Sequence, residues 1–408
     1  MSGGEGTGRA GHVLVVNAGS SSLKYQLIEA GSGSTVAVGL VSEIGGASRL
    51  RHESGGRVHE SDVSSPSHTE AFAIARAALR EHGPGLADDA LVAVGHRVVH
   101  GGRDFTEPVL VDDEVVATLR TLAPLAPLHN PANVEGIVRA QEAFPGLPHV
   151  AVFDTGFHRT LPEAAHTYAV PREWRDGHHV RRYGFHGSSY AWVARRTPQL
   201  LGRSAEDTRM VVLHLGNGAS ACAVHGGHSV DTSMGLSPAE GLVMGTRSGD
   251  VDPALGGYLA RVTGLSAQGY DRALNRDSGL LGLSGVSDFR TLVARREQGD
   301  ADAALAFDVT VHRIRKYVGA YAAVLGRLDA LVFTGGIGEH SAPLRAAVVD
   351  GLGVLGLRLD PAANDDDGPA ERRVSADSSA AEVWVVPTDE EREIARATLD
   401  VLGLPHAL

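Results

Sequence analysis

The chain has a single cysteine, Cys222, so neither an intrachain disulfide nor a cysteine-based zinc site can form. Apolar runs near the roughly 20 residues needed to span a bilayer are lacking. The opening residues, MSGGEGTGRAG, lack the apolar core of a signal peptide. These absences predict a soluble cytoplasmic protein without a membrane partner, preceded by a flexible extension over residues 1–11. Positive charge is also scarce: 37 basic residues stand against 49 acidic ones, a net charge of -12, which argues against nucleic acid as a partner. An anionic ligand must therefore be held by local arginines. Only Lys24 and Lys316 are lysines, and Lys24 beside a Gly/Ser turn suggests a site that wants a compact ammonium. The strand-like Val13–Val16 precedes neither a Walker A sequence nor a GxGxxG, so a P-loop and a dinucleotide fold are both unsupported.

At 408 residues with 43% hydrophobic content, the chain is long enough for two or three domains, and two lobes are expected. The segment VLVVNAGSSSLKYQLI, residues 13–28, reads as strand, tight turn, strand. Far downstream, MVVLHLGNGASACAV, residues 210–224, repeats the design, which suggests an internal duplication. Helices are predicted from a capping box at Ser67–Glu70 to Gly83-Pro84, from an Asn130-Pro131 cap to about Ala143, and over Ala301–Leu325. A strand over Ala330–Thr334 leads into a Gly-rich turn, Gly335–Gly338. Residues 361–381 read as a surface excursion and Val383–Val386 as a strand, after which Thr388–Glu391 caps a final helix. This alternation of strands and helices indicates α/β layers.

Three Gly-rich turns, Asn17–Ser22, Gly216–Ser220 and Gly335–Gly338, each follow an apolar strand, where backbone amides can approach phosphate oxygens. Arginines recur in glycine-rich or apolar settings instead of on helix faces: Arg97 in GHRVVHGG, Arg247 in MGTRSGD and Arg290 in SDFR. Such arginines suit carboxylate or phosphate forks. His129 and His186 lie in irregular turns where imidazole can donate to a phosphoryl oxygen, whereas His178-His179, His225 and His228 read as surface. Asp154-Thr155-Gly156 with Asp277-Ser278-Gly279 would allow an aspartic-type hydrolase with two carboxylates sharing a proton. The long helical patterns argue against that reading.

Taken together, VLVVNAGSSSLKYQL, GHRVVHGG, VFDTGFH, YGFHGSS, HLGNGAS, DTSMGLSPAEGLVMGTRSGD, TGGIGEH and PTDEE resemble, in the same order, the motifs of the acetokinase family. The resemblance runs from about Val13 to the C-terminal helix. It implies an α/β, duplicated actin/sugar-kinase/Hsp70-like (ribonuclease H-like) fold of two lobes with a central cleft. Residues 12–154, completed by 388–408, would form one lobe and residues 155–387 the other. It also implies a homodimer, Mg²⁺ or Mn²⁺, and reversible phosphoryl transfer between ATP and acetate.

By matching motif, Asn17 and Glu390 resemble the family's metal-site residues, while Ser20, Ser22 and Lys24 line the first phosphate loop. Arg97 resembles the acetate-binding arginine and Asp154 the active-site acid. His186 and Arg247 resemble transition-state stabilisers, with His129 nearby. His214, Leu215, Gly216, Asn217 and Gly218, then Asp288, Phe289 and Arg290, then Gly336, Ile337, Gly338, Glu339 and His340 resemble the segments that bind ATP or ADP. Val99, Leu128, Phe185 and Pro238 resemble the pocket for the acetate methyl group. Gly335, His340, Asp389 and Gly156 depart from the residues usual at those places.

A carboxylic acid like that of Glu has a pKa of about 4.3, so acetate arrives ionised and needs no base. Direct in-line attack is then expected to be limited by charge repulsion, and catalysis to consist of positioning and charge neutralisation. The alternatives are a propionate-specific relative in the same family and a non-catalytic actin-like nucleotide binder.

Overall fold

A computed structural model describes residues 11–84, 90–366 and 368–408; residues 1–10 of the expected flexible extension lie outside the described residues. The chain divides into two compact units, residues 1–156 with 389–408, and residues 157–388.

The first unit is built on an eight-stranded sheet of β1 (His12–Ala18), β2 (Leu23–Glu29), β3 (Thr35–Ser42), β4 (Arg49–Ser54), β5 (Arg57–Asp62), β6 (Leu91–Val98), β7 (Val109–Leu110) and β8 (His149–Phe153). Their spatial order is β5-β4-β3-β2-β1-β6-β8-β7. The unbroken apolar run of β1 follows from burial on both faces. Leu14 and Val16 pack with Phe72 of α1 (His68–His82) and Ala140 of α2 (Asn130–Ala143). Val13 and Val15 pack with Ile394 and Leu399 of the C-terminal helix Glu390–Leu402, which thus completes this unit's core.

The second unit carries a six-stranded sheet of β9 (Arg209–Leu215), β10 (Ala219–His225), β11 (His228–Thr232), β12 (Ala330–Thr334), β13 (Arg372–Arg373) and β14 (Glu382–Val385), in the order β11-β10-β9-β12-β14-β13. One face packs on Tyr190 and Val193 of α3 (Gly187–Leu201). The remaining helices used below are α4 (Leu255–Thr263), α5 (Phe289–Glu297), α6 (Ala301–Leu325) and α7 (Gly335–His340). The subset β3-β2-β1-β6-β8 matches β11-β10-β9-β12-β14 strand for strand. In each, two antiparallel pairings lead to two parallel ones. This is the duplicated actin-like core, and both predicted hairpins are its founding strands.

Several local expectations are corrected. Gly335–Gly338 is not a simple turn but the start of α7, because Ser341 N closes a helical bond to Ile337 O. Asn130 is the first residue of α2, not its cap; its side chain instead accepts from His100 N and donates to His100 O. The cap of the C-terminal helix is Asp389, which accepts from Arg392 N, while the Thr388 hydroxyl donates to Ser189 Oγ. Residues 361–381 are not merely a surface excursion: Asn364 is buried and accepts from Arg345 Nε. Arg97 lies on β6 and not in a turn, and Arg290 sits on α5, its side chain 93% exposed beside Asp288. Among the described residues no helix is long and apolar enough to cross a membrane.

Adjacent strands β6 and β8 bury two histidines against each other. His96 Nε2 donates to His149 Nδ1 at 2.9 Å, and His149 Nε2 donates to Phe144 O. Burial lowers the pKa of both. Below about pH 6.5 the unfolded chain takes up protons that the folded chain resists, so stability falls as pH falls, by at most ~1.4 kcal/mol per unit for each histidine. Denaturant midpoints measured from pH 7.5 to 5.5 should therefore decline, and His96→Leu should flatten the decline; an identical slope in the variant would contradict this account.

Candidate active site

In the first unit, the parallel register of β6 and β8 sets Arg97 beside the strand end that delivers Asp154, whose N–H bonds Val98 O. Arg97 Nε and Nη2 donate to the two Asp154 oxygens at 2.9 and 2.8 Å, a bidentate pair. Arg97 Nη1 lies 3.5 Å from Glu390 Oε2 at the start of the C-terminal helix. Asp154 therefore occupies one edge of the guanidinium and orients the other. Burial opposes the charge on Arg97, but Asp154, Glu390 and Glu391 outweigh it and raise its pKa. Burial pushes the Glu391 and Asp389 carboxyls up. Asn17, Lys24, Tyr25, Arg97, Glu390 and Glu391 line one pocket.

The turn after β1 is anchored by residues that the sequence did not single out. Asn133 Nδ2 donates to Ala18 O while Asn133 Oδ1 accepts from Val99 N, so one side chain ties the turn to the end of the Arg97 strand. His68 Nε2 donates to Gly19 O. The available signal was asparagine in a helix interior, a poor helix former whose presence asks for another reason. Within the turn, Gly19 N is itself bonded to Ser22 O. His129 is exposed at the N-cap of α2; Leu128 is 46% exposed and Val99 partly buried.

In the second unit, His186 opens α3 in a left-handed conformation, φ 58°. Its Nδ1 meets Ser220 Oγ at 2.8 Å, and its ring stacks on His214 at 4.2 Å between centroids. Ser189 Oγ lies 2.8 Å from His214 Nδ1 and accepts from Thr388. Arg247 Nη1 donates to Pro238 O at 2.8 Å. A Cβ on Gly218 would lie 2.6 Å from Arg247 Nη2 and 3.4 Å from His186 Nε2, so guanidinium, imidazole and the bare glycine converge on one spot. Arg247 makes no ion pair among the described residues, and burial alone pushes its pKa down to about 10. A desolvated, partly buried cation without a counter-charge beside it is a prepared anion site.

Other expected nucleotide residues belong to the same unit. Asp288 caps α5 by accepting from Thr291 N, and Glu339 of α7 accepts from Thr388 N. Gly216, Gly245, Phe289 and Ile337 border a small apolar cavity. Leu215 and Phe289 are buried and line that cavity, and Phe185 is buried in the same unit. Asp277 ends a helix with its side chain 57% exposed near Arg272, and Asp154 is committed to Arg97, so neither has the setting of a proton-sharing carboxylate dyad.

Among the described residues no cluster of three or more His, Cys, Asp or Glu side chains can hold a metal alone. Asn17 and Glu390 in one pocket nonetheless fit Mg²⁺, a hard cation that takes one or two carboxylates and fills its shell with water and substrate phosphate.

The acetokinase family model matches residues 12–396. An acetate kinase of Leifsonia xyli subsp. xyli is 55% identical over 96% of this chain and 99% of its own length. The crystal structure of Porphyromonas gingivalis acetate kinase superposes with a TM-score of 0.91 at 42% identity, covering 96% of this chain and 100% of that one. A propionate kinase from Francisella tularensis gives the same TM-score and coverage at 38% identity.

Gly218→Ala must displace the Arg247 guanidinium. Inorganic pyrophosphate binding, followed by calorimetry, should weaken about tenfold, the ~1.4 kcal/mol scale of one charge-assisted hydrogen bond. Unchanged affinity in a folded variant would remove Arg247 from the anion site.

Proposed function

The chain belongs to the acetokinase family, and from that membership we propose how its side chains divide the work of phosphorylating acetate with ATP. The observation that carries the reading is Arg247, partly buried and without an acidic partner among the described residues, beside His186 and Gly218. Acetate enters as the anion. The Nη1 side of Arg97, which Asp154 leaves and Glu390 faces at 3.5 Å, receives its carboxylate, with Asp154 fixing the opposite edge as an orienting group and not as a base. One carboxylate oxygen attacks the γ-phosphorus in line as the bond to the ADP oxygen breaks; no proton moves. Arg247 and His186 Nε2 donate to the equatorial oxygens, where charge must be offset for one anion to strike another.

Ser20, Ser22 and Lys24 serve the phosphates. Residues 214–218, 288–290 and 336–340 serve the rest of the nucleotide. Asn17 and Glu390 would hold Mg²⁺, which would supply further charge neutralisation at the phosphates. To the acyl group we assign Val99 and Leu128 of the first unit and Phe185 and Pro238 of the second. One methylene is worth only ~1–3 kcal/mol in an apolar pocket, so propionate is a second substrate, as the likeness to a propionate kinase favours. The compartment we assign is the cytoplasm, where ATP is supplied.

Mixing the protein with ATP, Mg²⁺ and acetate in hydroxylamine should yield acetyl hydroxamate, with kcat/KM falling from acetate to propionate to butyrate. Arg247→Ala should lower kcat and kcat/KM together, the mark of a contact made in the transition state. Glu390→Ala should raise the Mg²⁺ concentration for half activity. A variant of Arg247 with intact kcat, or an unchanged Mg²⁺ titration for Glu390, would return that residue to a structural role.

The partner protein we assign is a second copy of the chain, seated on α4. This helix buries none of its residues, and its Tyr258 and Val262 are 54% and 57% exposed. Tyr258→Glu should convert a dimer to a monomer in sedimentation velocity; a dimer that survives Tyr258→Glu and Val262→Asp together would move the interface elsewhere.

A further inference from the structure

We propose that His158 is a positioning residue for phosphoryl transfer: by fixing the Phe185 carbonyl, it holds the left-handed turn that aims His186 at Arg247. The inference rests on the role given to His186 above. His158 follows Asp154 in the VFDTGFH motif, yet its own hydrogen bonds go to the Phe185 backbone carbonyl and the Ser229 hydroxyl. It is 1% exposed, and both ring nitrogens are engaged. Nε2 donates to Phe185 O at 2.9 Å, and because a carbonyl can only accept, Nε2 carries the proton. Nδ1 is then the acceptor for the Ser229 hydroxyl at 2.8 Å. Burial, which pushes the His158 pKa down to about 4, keeps this single neutral tautomer across the physiological range.

The segment it holds is one that a free chain would not choose. Gly184 has φ 76°, and a Cβ there would lie 2.6 Å from His158 Cδ2, so the imidazole is packed into the space the glycine leaves. Two residues on, His186 adopts φ 58°, a conformation that costs a non-glycine residue about 1–2 kcal/mol. Its side chain makes no capping bond to α3, so the turn gets no help from the usual N-cap. Between those two positions lies the carbonyl that His158 grips. The Tyr190 ring stands edge-on to His158 at 5.5 Å, and its hydroxyl shares Ser220 Oγ with His186. The imidazole therefore supports the turn from below, while Ser220 fixes the far nitrogen of His186.

Three variants and one spectrum test this. His158→Leu removes the donor and should lower kcat about tenfold or more, with KM for acetate and ATP within about threefold of wild type. His158→Gln, whose amide N–H can reach the Phe185 carbonyl, should restore kcat to within about threefold. His158→Leu combined with His186→Ala should be no slower than His186→Ala alone, since residues that act as one unit are non-additive. Multiplicative losses, or no rescue by glutamine, overturn the proposal. Should the leucine variant not fold, ¹⁵N imidazole spectra of the wild-type protein decide: a neutral Nε2–H tautomer for His158 from pH 5.5 to 8 is required, and an imidazolium or an Nδ1–H form refutes it. If His186→Ala leaves kcat unchanged, the functional reading of His186 fails instead. Positioning is then judged from the His186 ring resonances, which must move in His158→Leu and stay in His158→Gln.

Discussion

Two arginines carry opposite electrostatic burdens, and the chemistry follows from the difference. Arg97 is neutralised along one edge by Asp154 and faced by Glu390, so its charge is permanent but largely spent. Among the described residues Arg247 bonds a carbonyl, Pro238 O, and makes no ion pair, so its charge is unspent. Lowering a guanidinium pKa to about 10 corresponds to on the order of 3 kcal/mol of desolvation. That cost is recovered only when an anion arrives, and it is recovered most fully when the anion carries the greatest charge.

The burden of keeping Arg247 in place falls on the loop between β11 and α4. Arg182 Nη1 donates to three successive carbonyls, Thr232, Ser233 and Met234, and its Nη2 pairs with Glu240 at 2.6 Å. Glu240 in turn accepts from Tyr168, and Tyr183 N and Gly184 N both donate to Gly235 O. The irregular segment that leads into His186 and the loop that presents Pro238 O are thereby parts of one hydrogen-bonded block. Each half of the duplicated fold thus keeps the same founding hairpin but surrounds it differently. Acids gather at the first unit's pocket, whereas an acid-free cation sits beside the turn of the second.

Much of this was legible in the sequence because it is local. Continuous apolar strands, the Gly/Ser turns between them and the uninterrupted pattern of Ala301–Leu325 depend on neighbours a few residues away. What escaped depends on partners far apart along the chain. Asn133 reaches back to Ala18, Thr388 finds Ser189, and His158 meets Ser229 only after the sheets have formed. The capping errors have the same origin. Thr388-x-x-Glu391 satisfies a capping pattern, but a tertiary bond claims the threonine and leaves the cap to Asp389. Arg290 shows the converse: a glycine-rich neighbourhood suggested a tight turn, and a helix begins there instead, with the side chain exposed.

The way protonatable groups are occupied bears on the reaction itself. A base catalyst needs a lone pair held near the nucleophile and not already engaged. His158 offers its lone pair to Ser229, His214 Nδ1 is bonded to Ser189, and Asp154 gives both oxygens to Arg97. For a hydroxyl nucleophile, such commitments would be a defect. For a carboxylate with a pKa of about 4.3 they are not, since the attacking oxygen is already charged at neutral pH. Side chains that would serve as bases elsewhere are free to act as struts, and the protein directs its polar interior toward holding cations at fixed places. Selection of an acid over an alcohol then follows from the same arrangement: an alcohol would bring neither the charge that Arg97 is oriented to receive nor a reactive oxygen without a base to deprotonate it.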